Sequence, residues 1–146
     1  MGDLMNPNYG GSAANHYLTQ QINGASAERV MCLLLEGAQK FINQAVAAIR
    51  RRDIATRARM VNRTSAIVEE LAIRLNYEDG GELVTNLTRI YDWWLKELFE
   101  GSQKNEPERL EAIERQIADM KSAWAELDKR QGPATQQTFS AQGMVG

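Results

Sequence analysis

From Val30 onward the apolar residues of the chain return at steps of three and four, not two. Val30, Leu34, Phe41, Ala45 and Ile49 make one row, and Met31, Leu35, Ala38 and Ile42 widen it. That period places them on one side of an α-helix that runs to about Arg51. A second helix carries Ile54, Val61, Val68 and Leu75 at seven-residue intervals, with a further row of Met60, Ile67 and Leu71. Ala58, Ser65 and Ala72 fall between them, and small residues in a seam let a neighbouring helix come close. A third helix carries Leu83, Leu87, Ile90, Tyr91, Trp94 and Leu98 and ends near Gly101-Ser102. The clearest stripe comes last: Leu110, Ile113, Ile117, Met120, Trp124 and Leu127, with Glu111, Glu114, Arg115, Asp119, Lys121 and Glu126 on other faces.

The residues between these stripes read as stops and starts. Gly24-Ala25-Ser26 breaks the chain, and Ser26 suits an N-cap. Asp53 is placed to cap the second helix, and the Arg50-Arg51-Arg52 run complements the negative end of the first helix or meets a nucleic acid or an acidic partner. Gly80-Gly81 permits a tight turn, with Asp79 and Glu82 at capping-box spacing. Asn105 or Glu106 can cap the last helix, with Pro107 in its first turn. Prolines occur only at 7, 107 and 133, and β-branched residues show no period of two. Four long helices joined by short turns predict an all-α fold, an antiparallel up-and-down four-helix bundle. Asn15–Ile22, with Tyr17, Leu18 and Ile22, is expected to add a short N-terminal helical segment that must dock to be stable. The expected organisation is a flexible arm over 1–14, a bundle over 15–131 and a disordered tail over 132–146 that opens on Gly132-Pro133.

Composition narrows the function classes. The chain has 146 residues, 43 % hydrophobic and 25 % charged, enough for one domain with one core. A formal charge of −2 provides no strong basic field for nucleic acid. Cys32 is the one cysteine, which excludes an intramolecular disulfide and suits a reducing, cytoplasmic setting. The polar, Gly-rich start does not have the form of a secretory signal, and no apolar run is long enough for membrane insertion.

The residues for catalysis are not assembled. His16 is the one histidine, Cys32 sits in the apolar run from Val30 to Leu35, and no His/Cys set suits zinc. Glu69, Glu70 and Glu82 have no Glu-x-x-His partners for a di-metal bundle. No cofactor is expected. Trp93 and Trp94 are adjacent, so both cannot face one core. With Tyr91 and Trp94 marking the inward side, Trp93 points at least partly outward, either as an interface anchor or packed against a helix edge.

Several of these residues together resemble the family of flagellin-specific export chaperones, FliS, over about residues 17–127. Tyr17 precedes Ala25-Ser26, and Leu34-Leu35-Glu36-Gly37-Ala38 stands where the family has Leu-Tyr-Asp-Gly-Ala. Tyr77-Glu78-Asp79-Gly80-Gly81-Glu82 matches an acidic Gly-Gly-Glu turn, and Asn86-Leu87 with Ile90-Tyr91-Asp92 matches an Asn-Leu…Leu-Tyr-Asp signature. Trp124 matches a late tryptophan. Leu35 replaces the family's tyrosine, and Ala27 replaces a proline after Ala-Ser.

The resemblance implies a cytoplasmic chaperone that binds the disordered C-terminal segment of flagellin. It would prevent premature polymerisation and deliver the subunit to a component of the flagellar export gate. Tyr17, Leu35, Asn86, Leu87, Tyr91, Asp92 and Trp93 become candidates for the client surface or its support. For Leu87 and Tyr91 core packing is the alternative role. The Tyr17–Ile22 segment is expected to cover the groove until the client displaces it. The alternative function is a generic helical adaptor that binds another amphipathic helix, or a second copy of itself as a homodimer.

Overall fold

Ser26 opens the first helix by accepting the Arg29 amide on its side-chain oxygen at 3.0 Å, and its hydroxyl donates to Asp128 Oδ1 at 2.7 Å. In the computed structural model, which describes residues 24–78 and 80–131, four α-helices follow. They are α1 (Ala27–Arg50), α2 (Ile54–Ile73), α3 (Gly81–Gln103) and α4 (Pro107–Gln131). Each packs on the next, and α4 returns to pack on α1. Ser26 with Asp128 at one end, and Arg50 with Glu111 at 2.7 Å near the other, fix α1 and α4 as antiparallel. The expected bundle is the observed one.

Two of the three turns share one construction. At the end of α1, Arg52 N–H donates to Ile49 O at 3.1 Å and Asp53 N–H to Ala48 O at 2.9 Å. At the end of α3, Asn105 N–H donates to Ser102 O at 3.3 Å and Glu106 N–H to Gly101 O at 2.8 Å. This is the crossed pair of bonds that closes a helix through one left-handed residue. That residue is Arg52 (φ 61°) in the first turn and Asn105 (φ 54°) in the second. Asparagine tolerates the conformation; an arginine there costs about 1 kcal/mol. Asp53 then caps α2 by accepting the Thr56 amide at 3.1 Å, and that bond holds its carboxyl below its ordinary range.

The turn before α3 is different. Gly80 (φ 60°) and Gly81 (φ 87°) both use left-handed backbone, as expected for a tight turn. The cap position belongs to Gly80, with no side chain bonding the first free amides. The expected capping box is therefore corrected: α3 starts one residue too late for Asp79 to be its cap, and Asp79 itself lies outside the described residues.

The core holds Leu35, Ile42, Val68, Leu71, Tyr91, Trp94, Leu98, Leu110, Ile113 and Ile117, each almost fully buried. Every residue from Val30 to Leu35 is buried as well, Cys32 among them. The α2 stripe needs correction. Its buried side is Met60, Val61, Thr64, Ile67, Val68 and Leu71, whereas Ile54 is 67 % exposed and Ala58 is exposed. A seven-residue row drifts by about 20° per repeat around a straight helix, so one end of it leaves the core. Thr64 joins the core by returning its hydroxyl to Met60 O at 2.8 Å. Close approach of α1 to α2 occurs at Gly37, where a Cβ would stand 3.2 Å from Ile67 Cδ1. The expected segment 15–22, with Tyr17, and the tail 132–146 lie outside the described residues. No helix among the described residues is long and apolar enough to cross a membrane.

Candidate partner-binding surface

The buried residues of α3 lie in one half of its length: Tyr91, Trp94, Leu98, Gly101 and Ser102 are all in the C-terminal part. There Arg109 of α4 forks onto three carboxylates. It donates from Nε and Nη2 to the two oxygens of Glu97 at 2.8 Å each, from Nη2 to Glu100 at 2.7 Å and from Nη1 to Glu106 at 2.9 Å. The bonds from Arg109 hold the Glu97 carboxyl below its ordinary range and push the guanidinium further up. Gly101 lets α4 come close, since a Cβ there would meet Leu110 Cδ1 at 2.6 Å. Trp94 donates its indole N–H to Gln116 Oε1 at 2.8 Å. The Tyr91 hydroxyl reaches Met120 Sδ at 3.8 Å, and burial pushes the phenol up to about 12.

The N-terminal half of α3 is apolar without being buried. Leu83 is 68 % exposed, and Val84, Leu87 and Ile90 are only partly covered. At the same end of the bundle, Ile73 is 72 % exposed and Tyr77 54 %. Uncovered large apolar groups gathered at one end of a bundle mark a binding surface more often than isolated ones do. Between α3 and α4 a cleft of about 370 Å³ is lined by Arg89, Ile90, Trp93 and Gln116. Trp93 is 41 % exposed at its edge, while Trp94, one residue on, is fully buried. A cleft of this size with an aromatic wall accepts aliphatic side chains from an amphipathic helix.

The residues expected from the sequence separate into two groups. Leu35 and Tyr91 are buried core residues, so they support a surface and do not form one. Leu87 is half-buried against the core. Asn86 and Trp93 are exposed, and with Ile90 they follow the i, i+4, i+7 spacing of one helix face. Asp92 is exposed on another side of α3. Tyr17 lies outside the described residues. Arg89 and Gln116 in the cleft and Ile73 beyond it had no place in the sequence reading; Ile90, Tyr77 and Leu83 had one as stripe or motif residues and not as site candidates. The signal available was the four apolar residues Leu83, Val84, Leu87 and Ile90 in the eight positions before Tyr91. Cys32 is buried, and desolvation pushes its thiol up, away from nucleophilic use. Among the described residues no group of three His, Cys, Asp or Glu is placed to hold a metal.

Residues 10–131 match the family described as flagellar protein FliS. The chain is 32 % identical over 115 residues to a flagellar secretion chaperone FliS of Campylobacter jejuni, covering 79 % of this chain and 90 % of that protein. It is 28 % identical over 107 residues to the flagellar secretion chaperone FliS of Vibrio cholerae, covering 73 % and 79 %. It is 29 % identical over 104 residues to the flagellar secretion chaperone FliSB of Pseudomonas aeruginosa, covering 71 % and 82 %.

Proposed function

The chain belongs to the flagellar protein FliS family, a family of chaperones and not of enzymes, and from that premise we propose that it binds the C-terminal segment of flagellin in the cytoplasm. In this role it prevents premature polymerisation and delivers the subunit to a component of the flagellar export gate. The observation that carries the proposal is the apolar N-terminal half of α3, from Leu83 to Ile90, which the described residues cover only in part and which leads to Trp93 and the cleft beside Gln116. A disordered client lays the apolar side of a forming helix there, with Trp93 as the aromatic anchor and Asn86 bonding its backbone at the rim. Ordering the client consumes on the order of 2–5 kcal/mol of the contact energy, which keeps the cargo releasable.

Calorimetry with a peptide from a flagellin C-terminus, at two temperatures, tests this. Binding with a negative heat-capacity change, weakened by Trp93→Ala, is the expected result. A folded protein that ignores the peptide would instead favour a helical adaptor. Light scattering on the same sample would then say whether the occupant is a second copy of the chain.

A further inference from the structure

The end of the bundle opposite the Leu83 surface is built around arginine. Between Arg50 and Arg63 six arginines accompany one acidic residue, Asp53, in a chain whose formal charge is −2. The two crossed-bond turns meet at this end, because Arg57 Nη1 donates to Asn105 Oδ1 at 3.1 Å. Between them lies a cleft of about 350 Å³ lined by Ile49, Arg50, Arg52, Asn105 and Pro107. Its apolar lining is Ile49 and Pro107, and its cations are Arg50 and Arg52. Among the described residues, both left-handed residues outside glycine, Arg52 and Asn105, line it.

Three observations single out this cleft. Arg52 occupies a position where glycine is the favoured residue, so its charge is kept against a conformational cost. Arg57 has a buried Nε–H with no hydrogen-bond partner among the described residues, although Nη1 is engaged. Such an atom in a native fold calls for an explanation. The nearby carboxylates are partly committed: Glu111 to Arg50, Glu106 to Arg109, and Asp53 to the Thr56 amide and Arg51; Glu108 is exposed at the start of α4.

We propose that the Arg50–Arg52–Asn105 cleft docks an acidic peptide segment of a second protein partner, one aliphatic side chain entering over Ile49 and Pro107 while flanking carboxylates meet Arg50 and Arg52. Charge complementarity selects the occupant. The cleft has no aromatic wall on which a nucleic-acid base would stack. Among the described residues, Ile54 and Phe99 are the large apolar residues strongly exposed at this end of the bundle, too few to enter a lipid surface. Because the cleft and the Leu83 surface are at opposite ends, the acidic segment and a client at α3 occupy the bundle together.

The test uses the full chain and a short capped peptide of glutamates around one leucine, labelled for anisotropy. A lysine-for-glutamate peptide, a thymidine oligonucleotide and phosphatidylglycerol vesicles are the other arms. Saturable binding of the acidic peptide is expected, with NMR shifts at Arg50, Arg52, Asn105 and Arg57 Nε–Hε. Arg52→Glu should weaken it about tenfold or more, and Arg74→Glu at the other end should leave it unchanged. Arg52→Gly keeps the protein folded in any case: it should raise the unfolding temperature and still weaken the peptide. Equal affinity for wild type and both Arg52 variants, shifts mapping elsewhere, or tighter binding of the oligonucleotide or vesicles overturns the proposal.

Discussion

Trp94 donates its indole N–H to Gln116 Oε1 at 2.8 Å, and the same glutamine lines the cleft that holds Trp93. One α4 side chain thus ties the buried tryptophan to α3's partner and borders the exposed one. Gln116→Leu should leave the buried indole N–H unpaired and cost about 1–3 kcal/mol in urea unfolding.

The two tryptophans should separate stability from binding. Trp94→Ala empties a fully buried site and is expected to cost about 3–5 kcal/mol. Trp93→Ala should change stability by less than about 1 kcal/mol and weaken the flagellin peptide by about 2 kcal/mol, as loss of an aromatic anchor does. Chemical unfolding and calorimetry on the same two variants read both quantities.

The expectation that Trp93 faces outward was available from the sequence, since Tyr91 and Trp94 define the inward side. The helices were legible too, and Ser26 and Asp53 cap as their residue types predict. The start of α3 was not: a pair of glycines allows several chain paths, and only the folded chain shows that Gly80 takes the cap position. The exposure of the N-terminal half of α3 was not legible for a related reason. Periodicity shows which side of a helix is apolar, and it is silent on whether a neighbour covers that side. Leu83 and Leu35 look alike in a stripe; one is 68 % exposed and the other fully buried. The cleft residues Arg89 and Gln116 carry no sequence signal, because they are ordinary polar residues until two helices bring them together.

Arg109 should matter more than a surface ion pair. It serves Glu97, Glu100 and Glu106 at once and is only 25 % exposed, with Glu97 at 13 %. Arg109→Ala would leave three clustered carboxylates without their cation and lower the urea midpoint. The loss should shrink on adding salt, which a urea titration at two ionic strengths would detect.

Gly101→Ala is expected to destabilise by about 1–3 kcal/mol by forcing Leu110 and Arg109 aside. The same change at an exposed helical glycine would stabilise. Thermal unfolding decides the sign.

Stability should fall at both extremes of pH. Asp53 and Glu97 have carboxyls held low in the fold, and in the unfolded chain they return to about 4. Below that the unfolded state binds more protons, so stability drops as acid protonates the folded groups. Tyr91 acts with the opposite sign. Its phenol is pushed up to about 12 in the fold and returns to about 10 when unfolded. Alkaline pH therefore favours the unfolded chain, by on the order of 2 kcal/mol across that interval. Urea midpoints measured against pH should show both limbs, and Tyr91→Phe should flatten the alkaline one.

The uneven anchoring of α3 has a mechanical consequence. A helix clamped at Trp94, Glu97 and Gly101 and little covered from Gly80 to Ile90 is a cantilever. A partner can bend the loose arm while the clamped root keeps the bundle intact. Amide exchange should therefore quicken steadily from Leu98 toward Leu83, and engaging cargo would do work against a few side chains instead of the whole core.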